Sequence, residues 1–205
     1  MNIMLLYSGG LDSTTLLHDL LRNGHDVICL SFDYEQTHKK ELEYAKYWTK
    51  YFKLKHEIIS LGGIFAGSAL THDKAMPLED YSTESMKATV VPNRNMVMLS
   101  IAASKAIQSS CDSVAYAAHA GDAVVYPDCR PEFVSRMSDA IRICDWHQLE
   151  LLTPYVEMSK KDIYQRATNM GYDTRKTWSC YVGDDEPCGQ CGSCRSRLDA
   201  TGRKL

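Results

Sequence analysis

The chain opens with an apolar run, Ile3-Met4-Leu5-Leu6-Tyr7, that passes directly into Ser8-Gly9-Gly10-Leu11-Asp12-Ser13-Thr14-Thr15. Beyond it, Leu16, Leu17, Leu20 and Leu21 recur on one helical face. No other segment restricts the fold as tightly: it reads as buried strand, tight glycine turn and helix start, the first unit of an α/β sheet. The first amide N–H groups of a helix lack intrahelical partners and sit at the positive end of its dipole, so this turn can hold phosphate oxygens with main chain alone. Two adjacent glycines let the backbone approach the anion. The Gly-Lys-Ser/Thr ending of one common phosphate loop is absent, as is the Gly-x-Gly-x-x-Gly of the dinucleotide folds. The same residues also suit a plain surface turn in which Asp12 or Ser13 caps the helix.

The alternation continues along the chain. Strand-like runs at residues 3–7, 27–32, 56–60, 114–117 and 149–152 are separated by helix-period stretches at 12–23, 39–52, 93–109, 131–144 and 160–170. Alternating β and α elements predict a parallel sheet with helices on both faces, and ligands in such sheets bind beyond the carboxyl ends of the strands, where the strand order reverses. Residues 61–91, with Gly62, Gly63, Gly67 and Pro77, are long for a βα connection and read as a substrate lid or the arm of a homodimer. A core domain of residues 1–175 and a small C-terminal region of residues 176–205 packed against it are expected.

That C-terminal region carries Cys180, Cys188, Cys191 and Cys194, spaced Cys-x7-Cys-x2-Cys-x2-Cys, with Pro187, Gly189 and Gly192 supplying the turns. Four thiolates suit tetrahedral zinc, and a closed four-sulfur site leaves no position for water, so the metal is expected to be structural. An iron–sulfur cluster can use the same ligands. A disulfide framework fits poorly with four more scattered cysteines and no secretory leader pattern, and a cytoplasmic protein is expected. Zinc binding at such sites supplies roughly 10–16 kcal/mol of apparent folding energy, enough to order a tail of low apolar content. The basic residues of the tail, Arg195, Arg197, Arg203 and Lys204, read as a solvated helix face. The 205 residues, 44% hydrophobic and 24% charged, suit a soluble globular chain, and a net charge of −3 argues against a large nucleic-acid surface. No apolar run reaches membrane-spanning length.

Three inner segments hold the remaining chemistry. Asp33-Tyr34-Glu35-Gln36-Thr37-His38 follows the second strand, where a ligand would lie, and His38 suits a base or hydrogen-bond partner as well as a surface position. Val91-Pro92-Asn93-Arg94-Asn95 leads into a helix, and Arg94 can grip a phosphate or carboxylate in bidentate fashion or brace the fold. The strand ending at Ala117 feeds Ala118-His119-Ala120-Gly121-Asp122, then Tyr126-Pro127-Asp128-Cys129-Arg130-Pro131-Glu132-Phe133, a dense set of titratable groups on one loop. A carboxylate there can accept two N–H groups from a guanine-like edge, and an arginine can pair with a substrate carboxylate. Cys129 reads as a buried thiol rather than a nucleophile.

With these residues in hand, the chain resembles the QueC family of queuosine-precursor biosynthesis, within the pyrophosphate-loop (SGGxDS) ATPases. The match is carried by SGGLDSTT, DYEQTH, VPNRN, YPDCRPEF, SKKDI and TWSCY followed by PCGQCGSC, which together cover nearly the whole chain. Thr37, Asn93 and Ala123-Val124-Val125 depart from the family's usual pattern. The resemblance implies a Rossmann-like pyrophosphate-loop fold and conversion of 7-carboxy-7-deazaguanine and ammonia to the nitrile, with two ATP used in succession. The acid is adenylated, ammonia displaces AMP to give the amide, and adenylation of the amide oxygen lets it leave. The implied ATP site is Ser8, Gly9, Gly10, Leu11, Asp12, Ser13, Thr14 and Thr15, with magnesium on the pyrophosphate. The implied catalytic residues are Lys160, Arg94, Asp122 and Arg130, and the implied substrate contacts are Gln36, His38, Tyr126, Asp128 and Arg130. A transfer-RNA thiolation ATPase, a zinc-knuckle binding module on a degenerate ATPase core, and an enzyme that hands the activated deazapurine to a macromolecule are the competing readings.

Overall fold

The computed structural model describes residues 1–71, 74–78 and 83–202. Five strands alternate with helices in chain order: β1 (Asn2–Leu6), α1 (Leu11–Arg22), β2 (Asp26–Asp33), α2 (Lys40–Tyr51), β3 (Lys55–Ser60), α3 (Thr83–Met86) and α4 (Arg94–Gln108). Then follow β4 (Ser113–Ala115), the single turn α5 (Ala120–Ala123), α6 (Pro131–Arg142), β5 (Glu150–Leu152), α7 (Lys160–Met170) and α8 (Gly192–Thr201). All strand pairs are parallel, in the order β3-β2-β1-β4-β5. Each of the five expected strands and five expected helices is present, with ends displaced by only a few residues.

The period of two along β1 explains why both sheet faces are covered. Ile3 and Leu5, with Val27 and Cys29 of β2, point to one side and pack on Leu16, Leu17 and Leu20 of α1 and Ile163 of α7. Met4, Leu30 and Val114 point to the other and pack on Leu99, Ala102 and Ala106 of α4 and on Val134, Met137 and Ile141 of α6. The chain leaves β1 to build β2 and β3 on one side, then crosses back to place β4 on the other, so the order reverses between β1 and β4. Glycine loop, β2–α2 loop and β4–α6 loop all emerge at that end of the sheet.

Two expectations about local structure are corrected. The residue that caps α1 is Gly10, with no side-chain cap, rather than Asp12 or Ser13. Both side chains are thereby left for other partners. In the tail, Arg197 is buried rather than solvated: it donates to the Thr177 carbonyl at 3.1 Å and the Thr174 carbonyl at 2.6 Å, pinning α8 to the chain that precedes it. Arg195 donates to the carbonyls of Gln190 and Leu78 at 2.9 and 3.0 Å, while Arg203 and Lys204 lie outside the described residues.

Candidate active site

A large cleft opens at the carboxyl ends of β1, β2 and β4, across the reversal point. One end is the glycine loop. Gly9 takes φ of +87°, and a Cβ there would lie 2.2 Å from the Glu41 carbonyl oxygen, so only glycine lets the loop press against α2. Ser8 and Ser13 exchange a hydroxyl hydrogen bond of 3.0 Å across the turn, and the Gly10 amide donates to the Ser8 hydroxyl at 3.1 Å. Ser8, Gly10, Asp12 and Ser13 line the cleft. Gly9, Leu11, Thr14 and Thr15, also assigned to ATP from the sequence, do not. Leu11 is buried, Thr14 bonds the Tyr7 hydroxyl at 3.1 Å, and Thr15 donates to the Leu11 carbonyl at 2.7 Å and bonds the Tyr172 hydroxyl at 2.8 Å.

Lys160 reaches this end from α7 and ion-pairs with Asp12. Its placement follows from a capping box: the Ser159 hydroxyl accepts from the Asp162 amide, and the Asp162 carboxylate accepts from the Ser159 amide. Burial alone would push the Asp12 carboxyl up, but Lys160 and then His119 more than offset it and hold it below the ordinary carboxylate range. His119 had no assigned role in the sequence, yet it is buried between two carboxylates, its Nε2 3.8 Å from Asp12 and 3.3 Å from Asp122. Its Nδ1 accepts from the amides of Gly121 and Asp122, so Nε2 carries the ring proton and faces both acids. Asp12 Oδ1 is buried without a hydrogen-bond partner, a free acceptor suited to a cation.

The other end is built from distant segments. Arg94 starts α4 and lines the cleft, donating to the Tyr34 hydroxyl at 3.2 Å. Burial opposes its charge, but the surrounding tyrosines and Asp128 raise its pKa overall, and it stays a cation. Asn93 precedes it with φ of +58°, a left-handed turn that asparagine tolerates. Gln36 and His38 both line the cleft. The Gln36 amide is largely spent on the loop itself, accepting from the Tyr34 amide at 2.9 Å, whereas His38 lies 5.3 Å from the Trp178 ring with Nε2 unpartnered. Glu41, which the sequence did not single out, lines the cleft beside Gln36. Burial pushes its carboxyl up to about 7, against Arg94 and the Gln36 amide.

Three residues expected to touch substrate lie outside the cleft lining. Asp128 accepts from the Asn95 amide at 3.0 Å and so caps the first turn of α4 from across the fold. Tyr126 bonds Thr89 at 2.8 Å and Tyr181 at 3.5 Å. Arg130 is exposed, its Nε donating to the Ala123 carbonyl at 3.3 Å. Asp122 does line the cleft, and Cys129 is a buried thiol, pushed up to about 12 chiefly by burial.

The cysteine region forms the remaining wall. The sulfurs of Cys180, Cys188, Cys191 and Cys194 lie within 4.8 Å of one another, with Cys180 and Cys191 at 4.0 Å. A tetrahedral four-sulfur site with metal–sulfur bonds of about 2.3 Å sets sulfurs about 3.8 Å apart, so this geometry fits a metal. Cys180 Sγ accepts from the amides of Gly183 and Cys188 at 3.0 and 3.2 Å, as a thiolate ligand does. Trp178, Ser179, Tyr181 and Ser193, all within two residues of a ligand, line the cleft, and the Trp178 amide donates to the Gly9 carbonyl at 3.2 Å. Within residues 61–91, Leu70 lines the cleft and Leu78 packs on the cysteine region. No helix among the described residues is long and apolar enough to cross a membrane.

The model of the family described as queuosine biosynthesis protein QueC matches residues 2–204. The 7-cyano-7-deazaguanine synthase of Methanoregula boonei is 49% identical over 203 residues, covering 98% of this chain and 94% of that protein. That of Pseudoalteromonas translucida is 45% identical over 201 residues, covering 97% and 92%. Among solved structures, the U34-tRNA thiolase NcsA of Methanococcus maripaludis with its 4Fe-4S cluster superposes with a TM-score of 0.53 at 13% identity, over 98% of this chain and 64% of that one. That likeness speaks for the fold alone, a parallel sheet with helices on both faces. Matched along almost its whole length and close to half identical to these synthases, the chain belongs to the QueC family.

Proposed function

We propose that the chain is an ATP-dependent 7-cyano-7-deazaguanine synthase, a cytoplasmic ligase that aminates a deazaguanine acid with ammonia and carries the amide on to the nitrile. The observation that carries this reading is a helix start with free amides facing, across one cleft, the guanidinium of Arg94, which forms no ion pair among the described residues. A carboxylate oxygen is a poor leaving group, and transfer of AMP onto it makes it a good one. In this reading Ser8, Gly10 and Ser13, with the first amides of α1, hold the phosphates, and Lys160 adds positive charge beside them. Arg94 orients the substrate carboxylate. Asp12, through its unpartnered Oδ1, and Asp122 would hold magnesium, which supplies neutralisation of the pyrophosphate charge.

Zinc is the metal that best suits four converging thiolates, and it would act here by fixing the wall that bears Trp178 and Tyr181. The near-full-length match to 7-cyano-7-deazaguanine synthases and a net charge of −3 count against the thiolation reading. A homodimer is also proposed: Trp146 and Ile143, between α6 and β5, are almost wholly exposed beside a groove lined by Ile107 and Met137, an apolar patch that a second copy can cover. The deciding experiment incubates the zinc-loaded protein with ATP, ammonium and 7-carboxy-7-deazaguanine. Nitrile and AMP by mass spectrometry are the expected products, and AMP without amide or nitrile would sink the reading.

A further inference from the structure

Away from the glycine loop, the cleft is walled by two side chains of opposite charge, Glu41 and Arg94, that feel each other's charge without forming an ion pair. Glu41 comes from the first turn of α2 and Arg94 from the start of α4. Among the described residues neither takes part in an ion pair: Arg94 donates to the Tyr34 hydroxyl, and Glu41 Oε1 has only a long 3.5 Å contact from the Gln36 amide. The other cleft charges are accounted for at the phosphate end, where Lys160 holds Asp12 and Asp122 faces His119. A half-buried carboxyl whose donor is one long amide contact is poorly compensated for its burial unless a ligand supplies better donors.

The substrate class of the proposed function has the complementary pair of features. Its 7-carboxylate is an anion, matched by Arg94. Its six-membered ring presents N1–H and the 2-amino group side by side, two donors that an ionised carboxylate, acceptor-only at both oxygens, can satisfy together. The adenine of ATP presents a donor beside an acceptor on the corresponding edge. A carboxylate matches only half of that edge and leaves a lone pair facing a lone pair. One residue can thus favour the deazaguanine and disfavour misplaced nucleotide in the same half of the cleft.

We propose that Glu41 is the specificity-determining residue for the base, accepting N1–H and the 2-amino N–H of a 2-amino-6-oxo-pyrrolopyrimidine while Arg94 takes its carboxylate. The inference rests on the synthase reading. Its consequence is discrimination: an analogue lacking the 2-amino group leaves one carboxylate oxygen without a donor.

The test compares the zinc-loaded wild type and Glu41→Gln with 7-carboxy-7-deazaguanine and with the same acid lacking the 2-amino group, with KM for ATP measured in parallel. Glutamine is nearly isosteric, and a thermal melt reports that the variant is folded. The wild type is expected to favour the 2-amino acid in kcat/KM by on the order of 10²-fold. In Glu41→Gln that preference should collapse to within about threefold, through loss on the 2-amino acid, with KM for ATP unchanged. An unaltered preference in Glu41→Gln would overturn the proposal. So would a rise in KM for ATP in place of that for the acid, which would give Glu41 to the nucleotide. If the wild type turns over neither acid, the synthase reading fails by itself. Calorimetric titration with 7-carboxy-7-deazaguanine then decides Glu41: weaker binding by Glu41→Gln supports the role, and equal binding removes it.

Discussion

Asp12 and Glu41 are both half-buried carboxyls on the wall of one cleft, yet burial and partners drive them in opposite directions. Asp12 has Lys160 in contact and His119 close by, and it is held below the ordinary carboxylate range. Glu41 has a long contact from an amide and a guanidinium that does not touch it, and it is pushed up to about 7. The phosphate end therefore holds its carboxylate charged against a cation before any ligand arrives, with Asp12 Oδ1 still open to one more, whereas the far end keeps an acid and a base out of ion-pair contact. A site that must hold the same triphosphate in two successive reactions gains from a fixed first end. A site that must select one heterocycle gains from groups whose desolvation is offset only by the right partner.

The largest expected effect removes the wall common to both ends. Cys191→Ser deletes one of four converging ligands, and because metal binding and local folding are one equilibrium, metal content, melting temperature and turnover should fall together. Elemental analysis and calorimetric melts check this, and full zinc occupancy in the variant would show that the ligand set is wrong. Chelation of the wild type should reproduce the loss. It should also expose Trp178, whose indole is buried and donates to the Cys180 carbonyl at 2.9 Å, as a shift in fluorescence.

Next in size come substitutions that separate the two ends chemically. Asp12→Ala should lower turnover on the order of 10³-fold while circular dichroism stays native, because its carboxylate organises Lys160 and the proposed magnesium and caps nothing. Arg94→Ala should instead act on the substrate. With the amide intermediate supplied directly, the second half-reaction should suffer less than the first, since the amide lacks the carboxylate that Arg94 is proposed to grip. The loss in the first should be tens- to thousands-fold in kcat/KM. Equal losses in both would move Arg94 to a phosphate or structural role.

The contrast also predicts a gain. Between about pH 4.5 and 7 the folded protein keeps a proton on Glu41 that the unfolded chain releases, so this group weakens folding as pH rises through that window and most above it. Glu41→Gln should therefore melt higher than wild type at pH 8, by roughly 2–4 °C for each 1 kcal/mol relieved, with the difference gone near pH 4.5. A lower melting temperature at pH 8 would mean that the carboxylate already has a partner in the free protein.

The same division separates what could be read in the sequence from what could not. The phosphate end is local: strand, Gly9-Gly10 and helix follow each other within some twenty residues, and a period of two followed by leucines on one face announces them. The cysteine region is legible for the same reason, four ligands within fifteen residues. The far end is assembled from residues 34–41, 94, 116–118 and 178–181, brought together only by parallel crossovers, and no local pattern marks it. Glu41 in particular looks like any acid in the first turn of a helix, where the dipole favours it. His119 stood in a loop already marked as chemical, but its two backbone acceptor contacts, which fix the proton on Nε2, depend on the turn of α5. Asp128 and Arg130 share a motif with the site without entering it, because a motif constrains neighbours in sequence while lining depends on direction.

The smallest effects test that last point. Asp128 reaches the α4 amide of Asn95 and does not line the cleft, so Asp128→Ala removes a cap and should cost about 1 kcal/mol of stability. Because that cap fixes the helix start that carries Arg94, a modest rise in KM for the acid should accompany it, and KM for ATP should not move. Arg130→Ala removes an exposed side chain with one 3.3 Å bond to the Ala123 carbonyl, and its stability change should stay within about 0.5 kcal/mol. If the loop holding Arg130 keeps its place when the acid binds, both half-reactions should be close to wild type in Arg130→Ala. A loss there as large as that of Arg94→Ala, confined to the first half-reaction, would mean that the loop between α5 and α6 swings inward and that two arginines, not one, grip the carboxylate.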